Sequence, residues 1–170
     1  MTSYGFLIRQ FSNVVWADEA CLSAAATVSP EKIGQPFGFS FGSVHATLVH
    51  MLSAQSVWIE RLTGDGDPTF PDPLSLPTLQ NVSDHWHGIH ERWRVYLSGL
   101  TDSLLDAQVE FTRRDKRYRS TRRIVVAHVF DHATHHRGQL NSLIKLAGGT
   151  PFDYGQMTWS RAIGETIELS

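Results

Sequence analysis

Between Val82 and Leu104 the apolar residues Val82, Trp86, Ile89, Trp93, Tyr96, Leu97, Leu100 and Leu104 return at steps of mostly three or four. That spacing places side chains on one stripe of an α-helix but scatters them over both faces of a strand, so the segment hides its apolar surface best as a helix. Thr78 stands at the N-cap position, and the spacing predicts a helix from there to about Leu104. Three other segments carry the same period. One runs from about Tyr4 to Thr27 and stops before Ser29-Pro30, since a residue that precedes proline is pushed out of helical geometry. The next is capped by Ser40 or Ser43 and reaches about Leu62, with the stripe Val44, Leu48, Met51, Leu52, Trp58, Ile59 and Leu62. The last spans about Thr121 to Ala147 and ends at Gly148-Gly149, with Lys145 in its final turn.

Four amphipathic helices of this length must bury their stripes against one another, which predicts an all-α chain folded as an antiparallel four-helix bundle. The period is lost between Val109 and Arg123, where Phe111, Arg113, Tyr118 and Arg119 flank Asp115-Lys116, and a small β-hairpin before the last helix is expected. The stretch from Gly64 to Pro77 holds four prolines and two glycines and reads as a loop. The tail from Pro151 to Ser170 carries Phe152, Tyr154, Met157, Trp159 and Ile163, and is expected to pack on the bundle or on a second subunit. With no internal repeat, residues 1–170 read as one domain.

Charge excludes some functions. Lys and Arg number 15 against 17 Asp and Glu, a formal charge of −2, so no global field draws the chain to nucleic acid or to an anionic membrane. Seven basic residues (Arg113, Arg114, Lys116, Arg117, Arg119, Arg122 and Arg123) crowd the expected hairpin around Tyr118, enough for local contact with phosphate or carboxylate but weak evidence for nucleic acid. A single cysteine, Cys21, rules out an intramolecular disulfide or a cysteine-based zinc ribbon. With no signal-like N-terminus and no apolar run of membrane-spanning length, the chain reads as soluble and cytoplasmic, with no membrane partner.

Nine histidines are the unusual entry in the composition, and His128, His132, His135 and His136 fall within nine positions. On a helical wheel of the last segment, Val125, Val129, Ala133, Leu140, Leu143, Ile144 and Ala147 share one arc, with His136 inside it and His132 at its border. Two imidazoles at i and i+4 stack on one side of a helix and can offer two nitrogens to one metal ion without backbone distortion. The alternative is a pair of hydrogen-bonded core histidines, each needing its own polar partner. A third ligand would come from His45 or His50 on the second helix, or from His85, His87 or His90 on the third, and the wheel leaves that choice open.

The strings Ser43-Val44-His45-Ala46-Thr47-Leu48-Val49-His50-Met51-Leu52 and His128-Val129-Phe130-Asp131-His132-Ala133-Thr134-His135-His136-Arg137-Gly138-Gln139, with Trp58-Ile59-Glu60-Arg61-Leu62 between them, resemble the DinB family of DNA-damage-inducible proteins. This is the DinB/YfiT-like group of metalloenzymes, distinct from the DNA polymerase that shares the name. The resemblance implies a four-helix bundle, often dimeric, with one divalent metal on three histidines, which fall here on His50, His132 and His136. Only the choice of His50 depends wholly on the resemblance. Asp131 stands where relatives more often carry Asn, and Cys21 has no counterpart in the pattern.

Three protein ligands leave open positions on a metal, as catalytic sites do. Zinc, nickel or iron would suit three imidazoles. Such a centre can activate water for hydrolysis or a low-molecular-weight thiol as thiolate, and the resemblance favours thiol S-transfer. The competing expectation is a non-catalytic dimeric module with a structural metal. No general base is evident: Glu60 and Asp131 are the nearest acids in sequence, and His128, His135 and Gln139 are candidates for hydrogen bonds that orient the ligands.

Overall fold

A computed structural model describes residues 3–64, 68, 70–71 and 73–168. The sequence stripes become four long helices: α1 (Ser3–Ala25), α3 (Val44–Thr63), α4 (Leu79–Ser98) and α6 (Arg122–Leu146). A short helix α2 (Pro30–Ile33) lies in the first connector, and α5 (Asp102–Asp106) and α7 (Gln156–Ala162) follow α4 and α6. The caps are local chemistry. Ser43 accepts from the Ala46 amide, Thr78 from Asn81 and Thr121 from Ile124, each satisfying a first-turn N–H that has no partner within the helix. Gly64 ends α3 in the left-handed conformation at φ 79°, which glycine adopts without a Cβ clash.

The four-helix bundle expected from the sequence is present, with α3 seated between α4 and α6 and α1 closing the other side against the same two helices. Trp86 and Trp93 are fully buried at its centre with Leu48, Leu52, Ile59, Leu97, Leu140 and Ile144. At about 25 cal/mol per Å² each buried tryptophan contributes roughly 4–6 kcal/mol of transfer free energy, which explains why the stripe around them dominates the pattern. No helix among the described residues is long and apolar enough to cross a membrane.

One boundary differs from expectation. The third helix does not run on to Leu104: α4 stops at Ser98, Gly99 forms its C-cap, and Thr101 caps a new helix by accepting from the Leu104 amide. The interruption shifts the phase, so Leu105 is buried where continuation of the stripe would have buried Leu104, which is exposed. The hairpin is as expected, with β1 (Gln108–Arg113) antiparallel to β2 (Lys116–Thr121) and Arg113 opposite Lys116. Arg114 and Asp115 turn it at φ 49° and 61°, the paired positive dihedrals of a tight type I′ connection. Of the expected loop Gly64–Pro77, residues 65–67, 69 and 72 lie outside the described residues; Pro73–Ser75 form one 3₁₀ turn.

The apolar tail packs on the bundle. Trp159 of α7 is buried, and the Arg9 guanidinium of α1 lies 5.2 Å from its ring centre while pairing with Glu165. Asn141 of α6 holds the chain at Phe152 through bonds to both its N–H and its C=O. Cys21 is buried, and burial, followed by the nearby Asp18 charge, raises its thiol pKa, which leaves it a core residue.

Candidate metal centre

His132 and His136 lie one turn apart on α6, and His50 projects toward them from α3, which packs alongside. Their ring nitrogens converge. His132 Nε2 is 3.1 Å from His136 Nε2 and 3.4 Å from His50 Nε2, and one ligand atom from each of the three lies within 4.8 Å of the others. Ligands at 2.0–2.1 Å from a tetrahedral ion stand about 3.3–3.4 Å apart, so the spacing around His132 is that of atoms facing a common centre. Three histidines close enough to hold one ion therefore occur at the positions that the resemblance implied.

Protonation suits the same role. Burial, and then the His136 ring, push the His50 pKa down to about 4. Burial, and then His136, His50, His128 and His135, push His132 down to about 3. His136 is lowered by burial too, against a bond to Gln139 that raises it. Three neutral imidazoles at neutral pH present lone pairs without first losing a proton.

The orientation of His136 is fixed by neighbours. Its Nδ1–H donates to Gln139 Oε1 at 2.8 Å, which leaves the Nε2 lone pair turned toward His132. The same Oε1 accepts from the Ser40 hydroxyl at 2.7 Å, and Gln139 Nε2 donates to His135 Nε2 at 3.0 Å. Ser40 belongs to the connector before α3, at φ 54°, and that connector also lays Phe41 flat on His50 with ring centres 3.6 Å apart. Gln139 thus takes the orienting role expected for it, and His135 acts only through Gln139. His128 does not bond a ligand: its ring is 5.7 Å from His132 and meets Trp58 edge to face at 5.3 Å.

The other candidates are placed elsewhere. His45 bonds the Leu76 carbonyl through Nε2 at 2.7 Å. His85 and His87 are exposed on α4. His90 is buried 3.2 Å from Asp18 Oδ2, outside the cluster. Glu60 accepts from the Ser56 hydroxyl and faces Arg92, while Asp131 is exposed, so neither acid joins the triad. The helical wheel could not choose between His45 and His50 because α3 is buried almost all round, including Thr47, Ser53, Ala54, Gln55 and Ser56 off its main stripe.

The sequence reading missed Ser40, Phe41 and the buried pair Asp18–Arg137. Arg137 adjoins His136 in the histidine run, and a charged residue next to a core position was the available signal. Asp18 had none, because its partners come from three other helices.

A family model described as the DinB family matches residues 2–165. Protein DinB of Bacillus subtilis (strain 168) is 23% identical over 167 residues, covering 91% of this chain and 94% of that protein. Two crystal structures share the fold. A DinB-like protein from Bacillus cereus ATCC 10987 gives a TM-score of 0.62 at 21% identity, over 82% of this chain and 91% of the other. A DinB-like protein from Bacillus subtilis gives 0.63 at 19% identity, over 87% and 98%.

Proposed function

Because the chain belongs to the DinB family, we propose that it is a metal-dependent enzyme in which His50, His132 and His136 hold one divalent ion (zinc, nickel or iron), working as a thiol S-transferase or a hydrolase. The observation that supports this reading is the convergence of three neutral ring nitrogens from two helices. A bound ion would act as a Lewis acid, lowering the pKa of a water or thiol on a coordination position that the three histidines leave free.

The chain's own groups prepare that position. Gln139 keeps His136 in one tautomer, and Ser40 and His135 keep Gln139 in place. Phe41 covers the outer face of His50 and shields that ligand from water. Among the described residues the cluster contains no carboxylate, so His128 and His135 are the neighbouring groups able to accept a proton.

The triad also joins α3 to α6, and this favours a second reading, a non-catalytic dimeric module whose ion staples two helices. Elemental analysis of untagged protein tests the common premise: about one equivalent of metal, lost in His132→Ala, is expected. Removing the metal by chelation then separates the two readings. An enzyme loses thiol-transfer or hydrolytic turnover with the metal and regains it on reconstitution; a staple shows no turnover in either state and loses only stability.

A further inference from the structure

A cavity of about 280 Å³ lies between α3 and α6, roofed by the hairpin. Trp58 lines it from α3, two turns beyond His50, and His128 from α6, one turn before His132. Along α6 the lining residues Ile124, Val125 and His128 lie one to two turns before His132. The roof is aromatic. Phe111 stands edge to face on Trp58 with ring centres 5.0 Å apart and stacks on Tyr118 at 5.6 Å. Arg61 locks the roof to α3, donating to the Thr112 carbonyl at 2.9 Å while its guanidinium lies over both Trp58 and Phe111.

The apolar rim is not covered by the chain: Tyr118 and Ile124 both line the cavity and are exposed. Charge selects among ligands. On the same hairpin Arg117 and Arg119 both pair with Glu110, and at the start of α6 Arg123 pairs with Asp106. Arg113 lines the cavity and has no carboxylate partner among the described residues; no acidic residue lines the cavity with it. A ring fits the volume, since a dry cavity of about 150 Å³ already admits benzene. Aromatic walls recognise a flat apolar body, and a guanidinium recognises a carboxylate through paired N–H donors.

We propose that this cavity binds a small aromatic carboxylate, its ring against the wall formed by Trp58, Tyr118 and Ile124 and its carboxylate on Arg113. The site does not require the triad to hold a metal, so the test is run on chelator-treated protein. Isothermal titration with 3-phenylpropionate, and in parallel with its neutral amide, compares wild type with Arg113→Gln and Trp58→Leu. Saturable one-to-one binding is expected, weakened about tenfold or more by Arg113→Gln for the acid but not for the amide, and weakened for both by Trp58→Leu. Absence of saturable binding to the wild type, or equal affinity of the acid for wild type and Arg113→Gln, overturns the assignment. Arg113 is exposed and has no ion-pair partner among the described residues, so this variant folds like the wild type, which circular dichroism verifies.

Discussion

Arg137 Nη1 donates to Asp18 Oδ1 at 3.1 Å in the middle of the bundle, with both side chains almost entirely excluded from water. The pair does not stand alone. Asp18 Oδ2 also accepts from Gln55 Nε2 at 2.7 Å and faces His90 at 3.2 Å, and Gln55 Oε1 accepts the Trp86 indole N–H. One carboxylate of α1 therefore links α3, α4 and α6, and its Arg137 partner is the residue directly after His136.

Removing one partner strands the other. Asp18→Ala leaves the Arg137 guanidinium in the core without its counter-charge, and a loss of about 3–5 kcal/mol is expected. The joint change Asp18→Leu with Arg137→Met removes both charges and should recover a large part of it. Urea denaturation of the single and double variants measures this. A loss below about 1 kcal/mol for Asp18→Ala would show that the network contributes little.

Gln139 acts on the centre through His136 rather than touching an ion. Gln139→Leu removes the acceptor of the Nδ1–H and the anchor for Ser40, so metal affinity should fall about 10- to 100-fold while the fold persists. Competition against a chromophoric chelator reads the affinity directly. Unchanged affinity with full occupancy would deny the orienting role.

Acid acts on the same rings. An unfolded histidine titrates near 6.5, whereas His50 and His132 are held at about 4 and about 3, so between these values the unfolded chain binds more protons than the folded one. Stability of metal-free protein therefore rises with pH across that window: the contribution is intact above about pH 6.5 and is lost as pH falls toward 4 and then 3. Urea midpoints at pH 7.5 and pH 5 should differ in that direction, and the difference should shrink in His132→Gln. A midpoint independent of pH over this range would contradict the neutral, buried state of the rings.

Single replacements of the triad separate ligation from folding. His50→Ala, His132→Ala or His136→Ala should each abolish stoichiometric metal, while the metal-free protein still folds, because the apolar core of α3 and α6 remains. His45→Ala, which removes a bond to the Leu76 carbonyl outside the triad, should retain metal. Loss of metal in His45→Ala, or retention in His50→Ala, would exchange the two candidates.

The sequence by itself determined the four long helices, the hairpin and the His132–His136 pair, because each depends on spacing within a few residues. A stripe at three and four, a capping Thr or Ser, and two imidazoles one turn apart are local geometry. Periodicity reports that a face is buried but not what it faces, and on α3 even that signal fades because nearly every face is covered. Residue spacing left His50 and His45 equal and the family resemblance chose His50, which tertiary structure brings to the pair; tertiary structure alone decided that Asp18 finds Arg137 and that the loop bearing Ser40 and Phe41 closes over the rings. It also decided the break at Gly99, where a residue-level cap at Thr101 overrides a stripe that would otherwise have continued. Those contacts join positions up to 119 residues apart, and their partners are selected by the packing of whole helices, which no short-range pattern encodes.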